Sequence, residues 1–113
     1  MILRLWRGWP EPMQARVYEQ LLLGRIAPAI LDRGLPGLRE LSVLRRDPGE
    51  IDPARGGEIL TAMTFDDLAA VAAFTGGDPS GSVVPTAARE LLARFDEHSR
   101  HYTELATFPK RQT

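Results

Sequence analysis

The segment Glu58 to Phe74, EILTAMTFDDLAAVAAF, constrains the fold more than any other stretch of the chain. Ile59 to Thr64 combines threonine with bulky apolar side chains and reads as a strand. Phe65 leads into Asp66, whose carboxylate can accept from the free amides of a helix's first turn. Leu68, Val71, Ala72 and Phe74 form an apolar stripe, and Gly76 ends the helix. A strand running directly into a short helix is half of a βαβ-type unit.

The N-terminal part supplies the matching half. Ile2 to Trp9 reads as a strand, with Ile2, Arg4, Trp6 and Gly8 on one face and Leu3, Leu5, Arg7 and Trp9 on the other. Pro10 and Pro12 stop it, and Pro12 suits a first helical turn, where its missing amide costs nothing. The helix that follows carries Tyr18, Leu21, Leu22, Ile26, Ala29 and Ile30 along one side. Pro28 would clash with the carbonyl of Gly24, so a kink or break is expected near Gly24 to Ala27. Gly34 caps the end.

Leu38 to Arg46 alternates well enough for a second strand, and Asp47 to Gly57 is a loop leading to the third. After the GGDPSGS loop, Val84, Ala88, Leu91, Leu92 and Phe95 recur at a helical period, predicting a helix from Ser82 to Phe95. His98 to Thr107 completes the set as a last strand. The order β-α-β-β-α(α)-β predicts an α+β domain over residues 1–107, a ferredoxin-like split βαβ, with a fraying tail from 108 to 113. Its four-stranded antiparallel sheet carries helices on one face. Strand one is apolar on both faces, through Ile2, Leu3, Leu5 and Trp6, so the uncovered face predicts a homodimer formed sheet to sheet.

Composition narrows the function classes. Fourteen basic against fifteen acidic residues give a net charge of -1, without the basic excess that nucleic-acid binders carry. The chain has no cysteine and two histidines, so no thiolate nucleophile and no metal-ligand spacing is present, and no cofactor is expected. The start MILRLWRGWP is too short and charged for a signal peptide, and no apolar run reaches membrane-spanning length. A cytoplasmic protein is expected. The abundance of Ala, Arg, Gly and Pro fits the codon bias of a GC-rich bacterium.

The start ILRLWRGW, the segment FDDLAAVAAFTGGD and the run VVPTAARELLARFDEHSRHYTEL together resemble the antibiotic-biosynthesis-monooxygenase-like family of the dimeric α+β barrel superfamily. The resemblance covers roughly residues 1 to 107. It implies a ferredoxin-like subunit pairing in a dimer and, for some members, cofactor-independent oxidation of aromatic polyketide-like substrates. Active members use an asparagine on the first strand and a tryptophan at the end of the third. Here Leu5, Trp6 and Arg7 stand about the first place and Thr64 about the second, and the chain contains no asparagine. Two readings therefore stand: a small-molecule oxygenase, and a ligand-binding or structural dimer without catalysis.

Four residues carry the candidate site. His101 is a strand histidine that could serve as a general base on a phenol or an enolic carbon, or could have no role. Arg4 is the one charge on an otherwise apolar strand face. It is an anchor for an anionic or carbonyl-bearing ligand, one half of a pair with Glu104 or Glu40, or a residue of the dimer seam. Trp6 offers a flat surface for an aromatic ligand, and Tyr102 a phenolic donor. Arg4, Trp6 and His101 converge on one cavity in one register, and a slip by one residue puts Tyr102 there instead. The GGDPSGS loop lacks the lysine of a phosphate loop and follows no strand.

Overall fold

The computed structural model describes residues 1–46 and 57–111. The expected Asp47 to Gly57 loop therefore lies almost wholly outside the described residues. The sheet is built on strand β1 (Ile2–Pro10), which pairs antiparallel with β3 (Ile59–Phe65) from Ile2↔Phe65 to Gly8↔Ile59. β2 (Leu38–Arg45) adds to the far side of β3, with an irregularity between Leu38 and Glu40.

The other edge of β1 departs from expectation. Two short strands share it: β4 (Leu92–Phe95) pairs with Gly8 to Pro10, and β5 (Arg100–Thr103) pairs with Ile2 to Leu5. The sheet thus has five strands rather than four. The helix expected over Ser82 to Phe95 shrinks to one turn, Thr86–Arg89. β1 would otherwise leave the N–H and C=O groups of its C-terminal half unpaired on this side, and Leu92 to Phe95 satisfies them. That tertiary demand overrides the helical period of the sequence, and Leu92 and Phe95 still pack against one cluster. The last strand is likewise shorter than expected. It ends at Thr103, and Glu104 to Arg111 belongs to no element.

Helices cover one face. A 3₁₀ turn at Pro12–Gln14 opens into α1 (Ala15–Leu21), a π-turn over Leu22–Ile26 and α2 (Ala27–Asp32). The π-turn falls where the break was expected. Pro28 has no N–H to return to the preceding turn, and Ala27 instead donates to the Leu22 carbonyl five residues back. α3 (Leu68–Thr75) ends at Gly76, whose φ of 83° is left-handed as the C-cap requires. Its N-cap is Asp67, not Asp66: the Asp67 side chain accepts from Ala70 N at 2.9 Å. Asp66 bonds Arg39 across the β2 start instead. The one-turn helix Thr86–Arg89 is α4.

Two apolar clusters form between sheet and helices. Tyr18, Leu22, Ile59, Ala88 and Leu92 make one, with Trp6 and Phe95 packed against them. Met63, Phe65, Ala70, Val71 and Phe74 make the other. Each large side chain so buried contributes about 1.5–3 kcal/mol. Gly37 lets β2 and α3 approach: its φ is +84°, and a Cβ there would sit 2.7 Å from that of Ala70. The opposite sheet face, bearing Leu3, Leu5, Leu44, Leu60 and Tyr102 by strand alternation, has no helix on it among the described residues.

Candidate functional site

A cavity of about 50 Å³ lies between the two clusters. β1 contributes Arg4 and Trp6 to its sheet side, and β3 contributes Thr61 and Met63. The broken helix supplies Tyr18, Leu22, Ile26 and Ile30, so the π-turn forms part of the wall. Phe74, the segment Val83 to Pro85 with Ala88, and Ser99 complete it. Most of this lining is aliphatic or aromatic carbon, with few polar groups.

Arg4 is the charged one, and at 3% exposure it is fully interior. Its Nη1 donates to the Pro79 carbonyl at 2.6 Å and its Nη2 to the Gly81 carbonyl at 2.7 Å. Nη1 also lies 3.0 Å from Nε2 of His101. The GGDPSGS loop is thereby pinned over the end of β1, and a bridge between Gly81 and His98 holds its far side. Neither Glu104 nor Glu40 pairs with Arg4; the expected carboxylate partner is replaced by backbone carbonyls. Burial lowers the Arg4 pKa to about 10, against the opposing pull of Asp78. The guanidinium stays charged at neutral pH and also stands over the Phe74 ring, 5.4 Å from its centroid.

His101 faces Arg4 directly across the β1–β5 pair, so register brings these two together. An arginine only donates, so the Nε2 it meets is an unprotonated acceptor and His101 is neutral, carrying its proton on Nδ1. Burial lowers the His101 pKa, and the Arg4 charge lowers it further. Its Nε2 lone pair is spent on Arg4, and the ring is not part of the cavity wall. Trp6 does line the cavity, but its indole N–H is occupied by the Asp96 carbonyl at 2.8 Å and Ser82 Oγ at 3.1 Å. Tyr102 pairs opposite Leu3, on the face away from Arg4, and is half exposed.

Two polar groups at the cavity escaped the sequence reading. Ser99 is 6% exposed, and its Oγ is the one buried side-chain polar atom without a hydrogen bond among the described residues. Tyr18 is 1% exposed, and burial pushes its phenol up to about 12. Tyr18 shows in the sequence only as one member of an apolar helical stripe. Ser99 has no sequence signal, because its burial follows from the β4–β5 split.

Asp96, whose carbonyl accepts from Trp6, is itself tied to β1 by Arg7. Burial opposes its ionisation, but bonds from Arg7 Nε at 2.9 Å and from the Arg7 amide at 3.0 Å outweigh it and hold the carboxyl below its ordinary range. Among the described residues no group of three or more His, Asp or Glu side chains could hold a metal ion, and no helix is long and apolar enough to cross a membrane.

A split βαβ sheet with its helices on one face defines a ferredoxin-like α+β fold. Solved structures share it over nearly the whole chain. A NIPSNAP domain protein from Burkholderia xenovorans superposes with a TM-score of 0.65 at 12% identity, covering 97% of this chain and 100% of its own. An ethD family protein from Bacillus halodurans gives 0.55 at 19% identity, over 93% of this chain and 100% of its own. A candidate antibiotic biosynthesis monooxygenase from Chloroflexus aurantiacus gives 0.54 at 19% identity, over 96% and 98%. These identities show a shared fold and no more. No family model matches the sequence, and none of the curated proteins matches it.

Proposed function

We propose that this protein is a small-molecule-binding homodimer whose ligand occupies the cavity between sheet and helices, and that it binds without catalysis. The observation that carries this reading is the Arg4–His101 contact. The histidine best placed to act as a base has its free lone pair on an arginine and stands outside the cavity wall. What remains is an apolar chamber with the unpartnered hydroxyl of Ser99 in its wall, which is a binding arrangement. Dimerisation rests on the helix-free sheet face and on the terminal segment, where Leu105 and Phe108 are about nine-tenths exposed.

A second reading, a cofactor-independent oxygenase acting on an aromatic compound, draws on Trp6, whose indole forms part of the chamber beside the Arg4 cation. Incubation with quinols and small phenols in air separates the two. Binding predicts that each compound is recovered unchanged with no oxygen uptake. Hydroxylated product or oxygen consumption above the protein-free rate supports the oxygenase.

A further inference from the structure

Arg4 is more than a tie for the GGDPSGS loop. A guanidinium has five N–H groups. Nη1 spends both of its own on the Pro79 carbonyl and His101, and Nη2 spends one on the Gly81 carbonyl. The Nε–H and one Nη2 hydrogen have no acceptor, and no carboxylate forms an ion pair with Arg4 among the described residues. Asp78, the acidic group that pulls on Arg4, is fully exposed and spends its side chain on Ser80. An interior cation thus borders a cavity whose wall also holds Ser99, nine-tenths buried with an unpartnered hydroxyl. A buried charge without a counter-charge is costly, and a buried hydroxyl without a partner adds to that cost. One group would relieve both: a monoanion with two acceptor oxygens.

Size and lining narrow the rest of the ligand. A cavity that accepts benzene measures about 150 Å³. The present one is about 50 Å³ and not fully enclosed, so fused aromatic rings are excluded, and a short-chain acid fits only with the end of its chain toward the opening. Beyond Arg4 and Ser99 the walls are Leu22, Ile26, Met63 and Phe74, which suit methylene groups. A single cation matches one negative charge better than the two of a phosphate monoester.

We propose that the cavity takes a short aliphatic monocarboxylate, its oxygens on the free N–H groups of Arg4 and on the Ser99 hydroxyl, its chain among Leu22, Ile26, Met63 and Phe74. The proposal rests on the reading of this chamber as a ligand site and adds the class of ligand.

Sodium butanoate and its neutral isostere butanamide test it, titrated into the full chain and followed by calorimetry and by amide chemical shifts. The expected result is saturable butanoate binding that moves the signals of Ser99 and of Val83 and Val84, with butanamide weaker by roughly tenfold or more, as for loss of a charge-assisted bond. Ser99→Ala removes no bond of the free protein, so its fold is safe. It should weaken butanoate by a similar factor. Equal binding of the two compounds overturns the carboxylate assignment while leaving the chamber a ligand site. Undiminished butanoate binding to Ser99→Ala, or no saturable binding at all, also overturns it. Binding of uncharged fragments at the same amides then decides separately whether the chamber binds anything.

Discussion

At the scale of single residues, Arg4 connects sequence, fold and site. Its oddity on an apolar strand face is visible in the sequence; its partners are not, because they are carbonyls brought in from residues 79 and 81. Replacing it strands those carbonyls and the His101 lone pair inside the protein. Arg4→Met should therefore cost about 2–4 kcal/mol in denaturant unfolding, as for the loss of two or more bonds to a buried charge. His101 adds a pH signature. Its folded pKa lies below the ordinary 6.5, first through burial and then through Arg4. As pH falls through 6.5 the unfolded chain takes up the proton first, so stability falls on acidification and is fully present above 6.5. His101→Gln should flatten that part of the stability profile. A profile that stays the same after the substitution would remove the Arg4–His101 contact from the account.

At the scale of elements, the cap of α3 offers a sharp contrast between neighbours. Asp67 accepts from Ala70 N, whereas Asp66 meets Arg39 on the surface. Asp67→Ala should cost about 1 kcal/mol by thermal or chemical unfolding, and Asp66→Ala at most about half of that. The reverse order would restore Asp66 as the cap. Much at this scale was legible in the sequence. Strands one to three, the break before Pro28 and the glycine end of α3 all follow from local chemistry. The stretch Ser82 to Phe95 did not, because the period of Val84, Ala88, Leu91, Leu92 and Phe95 is helical and local pattern cannot show a distant strand in need of a partner. The choice was made by the free edge of β1 at Gly8 to Pro10. The same split of the final strand buries Ser99, so the missed element and the missed site residue have one cause.

At the scale of the molecule, helices fill one face of the sheet and, among the described residues, leave the other bare. The ferredoxin-like order was legible because it depends only on the sequence of elements. The cavity was half legible: Arg4, Trp6 and His101 share a face, yet only the first two reach the chamber. Tyr102 falls on the face away from the chamber, opposite Leu3. If that face joins two copies, Leu5→Arg should leave the core intact and shift sedimentation at micromolar concentration from dimer to monomer. A wild-type chain that sediments as a monomer contradicts the dimer outright.

The central claim is that the chamber between sheet and helices is where this protein binds a small molecule. A crystal structure grown with a mixed panel of small acids, amides and phenols tests it most directly. The account predicts density inside the chamber within hydrogen-bond distance of Ser99 Oγ, with the GGDPSGS loop still held by Arg4. Compounds found only on the bare sheet face, with ordered water alone beside Ser99, would contradict it.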